Sequence, residues 1–464
     1  MLKTFRIFHT NDIHSHFSHW PQIAAYFNDA REQCKLMGEP YLLFDIGDHI
    51  DRFHPMTEGT RGKGNVQLLN ALGYNAVTIG NNEGVTLSKN QLAALYEDAH
   101  FPVLTANLYD KEGKRAVSMQ PYEFFELENG LTVAAIGLTV PFKDFYEPLG
   151  WKVDHPYDLL SDLIQNVREK ADVVVLLSHL GYSRDLEIAD EWDGIDLILG
   201  AHSHHLLEHG ERVKETTILQ AGKYGDYVGE TKITYDTQTK RVTECVAESI
   251  AIEDYRKDRD TEKLLDSLVD EGVSKLQSPI VTLNKPLEAD WFKPASFTKV
   301  LAEALREWCE AEIGMANSGL LLESLPAGPV KRSDLHRVCP HPINPCKLKL
   351  TGRELMDVVE LSMTEEIRNK KIKGLGFRGK VLGAFIYDGI EIKADNGKIK
   401  SIEVGGTPLQ LESEYEVATL DMFTFGMIFP EFAKKKKQYF LPEMLRDVLA
   451  WKLAKLGTPS STPT

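Results

Sequence analysis

The sequence predicts a two-domain α/β protein. Three observations carry this reading. Short apolar runs alternate with amphipathic stretches of helical length from residue 3 to about residue 250, a strongly charged helical segment follows, and a second α/β pattern fills the remainder. The length agrees, since 464 residues suffice for at least two separate cores.

Seven runs read as strands of the first domain: Lys3 to His9, Tyr41 to Ile46, Asn75 to Ile79, Val103 to Leu108, Leu131 to Leu138, Asp172 to Leu177 and Ile195 to Leu199. Most are rich in β-branched or aromatic residues, and all are too short for a buried helix. Between them, Pro21 to Met37, Gly64 to Leu72, Ser88 to His100, Pro156 to Lys170 and Ser183 to Trp192 read as helices. The polar residues directly after the strands are the informative feature. Asp12 and His14 follow the first, Gly47 and Asp48 the second, Gly80 to Glu83 the third, His179 the sixth, and Gly200, His202, Ser203 and His204 the last. The carboxyl ends of strands in an α/β sheet share one edge, so these side chains are expected to form one site.

The first domain is expected over 1–252. The charged stretch from Glu253 to Leu276, with Leu264, Leu265, Leu268 and Val269 as its apolar positions, predicts a connecting helix within a linker over 253–280. A second domain is expected over 281–455, with helices near Ala295 to Cys309 and Gly352 to Ser362. Its strands are expected at Cys346 to Leu350, Ala384 to Ile392, Lys398 to Val404 and Tyr415 to Leu420. The run Lys434 to Lys437 reads as a solvated turn, and 456–464 as a disordered tail.

Composition narrows the functional class. With 69 acidic and 53 basic side chains the net charge is −16, which argues against a protein that wraps polynucleotide backbones. The five cysteines, at 34, 245, 309, 339 and 346, form no CxxC pair and read as reduced, mostly buried residues. The opening MLKTFRIFHTND lacks a signal-peptide core, and no apolar run is long enough to span a membrane. The expectation is a soluble, cytoplasmic protein without a membrane partner.

Carboxylates, imidazoles and one carboxamide at strand ends suit zinc, manganese, iron or cobalt without thiolate. Seven candidates, Asp12, His14, Asp48, Asn81, His179, His202 and His204, suffice for two divalent ions if one carboxylate bridges. Two such ions clamp a phosphoryl group and make hydroxide available near neutral pH.

The segments T-N-D-I-H (10 to 14), G-D (47 to 48), G-N-N-E (80 to 83), S-H-L-G (178 to 181) and G-A-H-S-H (200 to 204) resemble the metallophosphoesterase motifs of the 5'-nucleotidase family. That family also includes 2',3'-cyclic phosphodiesterases and UDP-sugar hydrolases. The second half is similar to its substrate-binding domain through A-N-S-G (316 to 319), S-D-L-H-R-V-C-P-H-P-I-N (333 to 344), L-T-G-R-E-L (350 to 355) and Y-E-V-A-T-L-D-M-F (415 to 423).

The resemblance implies a β-sandwich flanked by helices, followed by an α/β substrate-binding domain. It implies that Asp12, His14, Asp48 and His204 hold one ion and Asp48, Asn81, His179 and His202 the other, with Asp48 bridging. Asn81 would bind through its carboxamide oxygen, and it also reads as a cap for the following helix. The reaction implied is attack of hydroxide on phosphorus, with a small phosphate ester, a nucleotide above all, as partner.

The sequence departs from the family in three places. The family's Gly-Asn-His-Glu has Asn82 where the catalytic His stands, and Val85 where its partner Asp stands. Asn82 can donate a neutral hydrogen bond to an oxyanion but cannot act as a general acid. His49 is the first candidate to take over that role, with His16 and His205 behind it. In the second domain Asn317 is followed by leucines rather than the family's substrate-gripping Arg, and a Gly-Gly-Asp segment is replaced by Phe425 to Phe429. Candidate substrate contacts are Asn317, Arg378 after Phe377, and Phe425 or Phe429 stacking on a base, with Phe423 also considered. The alternatives are a non-catalytic metal- and nucleotide-binding protein, and a phosphodiesterase for cyclic or sugar nucleotides.

Overall fold

Alternation in the first strand decides the architecture of the N-terminal half. In Leu2–Thr10, Phe5 and Ile7 are fully buried on one face, while Phe8 on the other packs against Tyr26 and Phe27 of helix Trp20–Met37. A strand buried on both faces needs a layer on each side. The computed structural model describes residues 1–116, 118–395 and 398–457, excluding the side chains of 395 and 398. The chain divides into two units, Met1–Ser274 and Lys275–Thr464.

The first unit holds two mixed sheets. One has the order Arg241–Ala251, Tyr227–Asp236, Leu2–Thr10, Tyr41–Asp45, Ala76–Thr78, Val103–Leu104, Met119–Gln120. The other runs Glu211–Val213, Thr216–Leu219, Leu197–Gly200, Val173–His179, Thr132–Thr139, Tyr122–Glu126. Phe5, Ile7 and Phe44 of the first meet Val133, Val175, Leu177 and Leu199 of the second in one core. On the outer face of the second sheet, Val174, Leu176 and Ile136 pack under Leu160, Ile164 and Ile188 of helices Tyr157–Arg168 and Tyr182–Glu191. This is the sandwich flanked by helices. Leu2–Thr10, Tyr41–Asp45 and Ala76–Thr78 are mutually parallel neighbours, as are Thr132–Thr139, Val173–His179 and Leu197–Gly200, so the carboxyl ends within each set lie on one edge.

Local chemistry explains the boundaries that differ from expectation. The helix expected to reach His100 ends at Leu95. Beyond it, the Asn70 carboxamide donates to Asp98 O at 2.8 Å and accepts from His100 N at 2.8 Å, which diverts the backbone from helical bonding. The charged segment, expected as a connecting helix, forms helix Arg259–Lys275, and all but its last residue falls within the first unit. A Cβ on Gly59 of helix Pro55–Thr60 would lie 2.1 Å from Gly272 O, so two glycines permit the close approach.

The second unit has a five-stranded sheet, ordered Phe385–Asp388, Ile313–Asn317, Glu414–Leu420, Pro345–Thr351, Lys437–Tyr439. Helices Ser296–Trp308, Gly352–Ser362 and Leu445–Gly457 contribute Leu301, Leu305, Leu355, Leu445 and Leu449 to its core. The run read as one strand from Ala384 to Ile392 is two, broken at Gly389 with φ of +85°. The second half, Ile390–Asp395, pairs with Lys398–Val404 in a separate sheet. The lysine run is only partly a turn: Lys437 opens a strand and Lys435 Nζ meets Glu354 Oε2 at 2.6 Å. Residues 456 and 457 continue the last helix, and the remainder of the expected tail, 458–464, lies outside the described residues. Four of the five cysteines are buried and Cys245 is half-buried. Among the described residues no helix is long and apolar enough to cross a membrane.

Candidate metal centre

Three of the loops that carry candidate ligands leave their strands through an uncommon backbone conformation. Asp12, His14, Asp48, His202 and His204 all have φ between +49° and +72°, a region that non-glycine residues enter at a cost of roughly 1–2 kcal/mol each. Such clustering marks a site whose geometry the surrounding fold imposes.

Two groups of donors result. Asp12, His14 and His204 bring one ligand atom each within 4.8 Å of one another, and so do Asp48, His179 and His202. Asp48 links them, its Oδ2 lying 3.7 Å from His14 Nε2 and 3.5 Å from His179 Nε2. In the first group His204 Nε2 is 3.5 Å from Asp12 Oδ1 and 3.1 Å from His14 Nε2. The seventh candidate, Asn81, joins the second group, with Oδ1 2.9 Å from His202 Nδ1.

These donors fit divalent ions. His179 is fully buried with Nδ1 2.7 Å from Ile46 O, which makes Nδ1 the donor, while Nε2 has no hydrogen-bond partner among the described residues. An imidazole fixed through one nitrogen with the other bare beside a carboxylate is oriented for metal. Burial disfavours the charged forms of both Asp48 and His179, but their mutual attraction wins, holding Asp48 well below the usual carboxylate range and pushing His179 up to about 10. A divalent ion bound there would take the place of that proton. Burial, then the adjacent His179, pushes His202 down to about 4, so it is neutral and able to ligate.

Three sets of contacts hold the ligands. Glu83, fully buried, accepts from Gly80 N at 2.8 Å, Ile50 N at 2.9 Å and Asp48 N at 3.0 Å, tying two ligand loops together. Burial and then the charge of Asp48 push its carboxyl up to about 7. This carboxylate caps helix Asn81–Thr86; Asn81 is the first residue inside that helix and does not cap it. Asn11 donates to Asp12 Oδ2 at 2.8 Å, and His202 N donates to the same carboxylate at 3.0 Å. Behind the second sheet, buried Asp185 accepts from Ser178 Oγ and, at 2.7 Å, from Gln220 Nε2. Gln220 Oε1 then accepts from Ser203 Oγ, between His202 and His204, at 3.2 Å.

The two residues assigned to catalysis behave differently from expectation. Asn82 Nδ2 lies 2.9 Å from both His14 Nδ1 and Ile50 O, so this end of its carboxamide faces a candidate ligand and a backbone carbonyl. His49 is buried between Phe17 and Trp20, ring centroids 6.0 and 5.0 Å away, and burial pushes it down to about 3. It is a neutral core imidazole bonded to Asn65, and it holds no proton to give at neutral pH. His205 bonds Ser203 Oγ at 2.9 Å, and His16 stacks on Tyr224.

In the second unit, Phe429 is fully buried among Phe423, Phe385 and Phe432 at 5.0 to 5.7 Å, which overturns its assignment as a base-stacking ring. Phe423 is fully buried as well. Phe377 is buried and stacks on His341 at 5.4 Å, so one of its faces is filled. Asn317 is fully buried, donating to Leu382 O at 2.7 Å; its Oδ1 has no hydrogen-bond partner among the described residues. Phe425, 49% exposed, and half-buried Arg378, whose backbone N donates to His341 Nδ1, remain nearer the surface.

Comparison with known proteins agrees with this geometry. Residues 5–206 match the calcineurin-like phosphoesterase family, and residues 276–428 match the 5'-nucleotidase C-terminal domain. The chain is 43% identical over 461 residues to the uncharacterized metallophosphoesterase YunD of Bacillus subtilis, a match covering 98% of this chain and 100% of that protein. It is 25% identical over 492 residues to the 5'-nucleotidase of Vibrio parahaemolyticus, covering 88% of this chain and 81% of that one. Of solved structures, the NAD nucleotidase of Haemophilus influenzae superposes with a TM-score of 0.69 at 17% identity, covering 98% of this chain and 96% of that one. The 5'-nucleotidase precursor of Thermus thermophilus superposes at 0.61 with 20% identity, covering 98% and 97%. At such identities these two likenesses show the fold alone.

The fold and the paired donor groups define a metallophosphoesterase. Within that class the chain belongs to the 5'-nucleotidase family of hydrolases.

Proposed function

We propose that the chain hydrolyses the phosphoester bond of a nucleotide or a related small phosphate ester. One observation carries the reading: two donor groups share Asp48, with His179 Nε2 buried, bare and 3.5 Å from that carboxylate. Asp12, His14, Asp48 and His204 would hold one divalent ion, and Asp48, Asn81, His179 and His202 the second. Such a pair supplies Lewis acidity and a water acidic enough to attack phosphorus near neutral pH.

The chain's own residues do the rest. The left-handed loops preset the donors, Glu83 fixes the spacing of the Asp48 and Asn81 loops, and Asn82 and Ile46 O orient His14 and His179. With Asn82 a carboxamide and His49 in the core, neither supplies a proton to the departing oxygen. Rates should therefore fall steeply as the leaving group becomes more basic, with aryl phosphates cleaved faster than nucleoside monophosphates. The nucleotide part is supported by the 5'-nucleotidase C-terminal domain match and by the activity named for the Vibrio protein.

The test is phosphate release from nucleoside monophosphates, cyclic and sugar nucleotides and an aryl phosphate, with manganese, zinc or cobalt added. Metal-dependent turnover that Asp48→Ala abolishes supports the reading. Tight nucleotide binding without turnover, both ions bound, would establish the non-catalytic alternative instead.

A further inference from the structure

We propose that Lys223 is a substrate-binding residue whose ammonium meets phosphoryl oxygens of the anionic ester held at the metal centre. The inference rests on the phosphoesterase reading and adds to it a cation that none of the metal-ligating segments supplies.

Lys223 lies in a turn fastened to the ligand loops on either side of it. Asn11 Nδ2 donates to Gly222 O at 2.8 Å, Gly222 N donates to His205 O at 2.9 Å, and Tyr224 N donates to Asp12 O at 2.9 Å. Tyr224 itself has φ of +64°, a conformation that costs a bulky residue energy and persists only where its surroundings impose it. Its ring stands edge-on to His14 with centroids 6.0 Å apart and lies 3.8 Å from His16. The Lys223 ammonium sits 4.5 Å from the centroid of that same ring. A half-exposed cation–π contact is worth only about 0.5–1 kcal/mol, so the ammonium is readily exchanged onto a stronger anionic partner.

Other cations close to these loops are committed. Arg52 bonds Glu58 at 2.7 and 3.0 Å and Thr86 O at 2.8 Å. Arg184 bonds Leu180 O at 3.1 Å, and exposed Lys143 pairs with Glu147 at 3.6 Å. Lys223 has no carboxylate partner among the described residues. The site also gathers buried Asp12, Asp48 and Asp51 in a chain of net charge −16, a field that opposes a phosphate dianion. A cation carried on the ring that stands edge-on to His14 offsets it.

The experiment compares manganese-loaded wild type, Lys223→Met and Lys223→Arg. Inorganic phosphate binding is measured by calorimetry, and kcat/KM is measured on an aryl phosphate monoester and on its methyl diester, which carries one charge fewer. Lys223→Met should weaken phosphate binding about 10- to 100-fold and lower kcat/KM roughly tenfold more for the monoester than for the diester, with metal content intact and Lys223→Arg restoring most of the loss. Phosphate affinity within twofold of wild type, equal losses on both esters, or loss of metal from Lys223→Met would overturn the proposal. A wild type that binds both ions but cleaves no ester would sink the hydrolase reading alone, because the phosphate titration still decides for or against Lys223.

Discussion

Gly80 offers a clean test of the metal centre, because a methyl group there collides with two ligands while leaving the backbone unstrained. Its φ of −95° and ψ of −170° are extended values that alanine adopts freely. The added Cβ would lie 2.0 Å from Asp48 Oδ1, 2.6 Å from Asp48 Cγ and 2.6 Å from His179 Cε1. Restoring contact distance moves the bridging carboxylate by about 1 Å or more, against a tolerance of roughly 0.2 Å for metal–ligand bonds. Gly80→Ala should therefore lower metal affinity at least about 100-fold and destabilise the first unit by about 1–3 kcal/mol of overpacking. Elemental analysis after dialysis against graded metal reads the first effect and thermal unfolding the second. Gly38→Ala is the control: its φ of +67° imposes about 1 kcal/mol of strain, but nothing lies within 4 Å of the new methyl, so metal binding should persist. Gly80→Ala carrying both ions at wild-type affinity would refute the assignment of Asp48 and His179 as neighbouring ligands.

Asp48→Ala should lower bound metal towards zero, while His204→Ala should lose chiefly one ion; a full complement in Asp48→Ala, by elemental analysis, would dismiss the bridge. Phe429→Ala should cost the second unit about 3–5 kcal/mol in denaturant unfolding and leave metal content unchanged, as expected for a core ring rather than a ligand contact. Asp421, pushed up to about 7 by burial although Asn344 N donates to it, binds a proton more tightly folded than unfolded. Its contribution is fully present below the usual carboxylate range and is lost as pH rises through about 7, a change on the order of 4 kcal/mol. Asp421→Asn should flatten this fall between pH 5 and pH 8 in thermal unfolding, and an unchanged profile would count against the assignment.

The donors that converge into the two candidate metal groups are legible because they follow apolar strands, where sequence neighbours become neighbours in space. Residues acting over long separations are not. Asp185 reads as an ordinary acid on an amphipathic helix, and only the fold reveals that Ser178 and Gln220 converge on it. Glu83 stood within a quoted motif, but its role depends on backbone donors of another loop. The direction of the Asn82 amide is likewise set by His14 and Ile50. The hairpin Tyr227–Asp236 with Arg241–Ala251 has a weak sequence signal because its outer strand is mostly exposed or half-buried and lacks an apolar run. Phe425 and Phe429 are four residues apart, yet one is exposed and the other is core. Gly426, at φ of +79°, turns the chain between them, a geometry that aromatic spacing does not encode.

The origin of the ligands has a mechanical consequence. Asp12, His14, Asp48 and Asn81 hang from strands of one sheet, while His179, His202 and His204 hang from the other, so each donor group draws on both. Over their shared core the two sheets are joined by apolar packing, which is strong but non-directional. An ion in either group would rivet one sheet to the other at the carboxyl edge. It would add about 2.7 kcal/mol of resistance to unfolding when present at 100 times its Kd. The domain's grip on its own two layers thus becomes a function of metal supply, and a chelator would loosen the fold from the same edge at which the chemistry takes place.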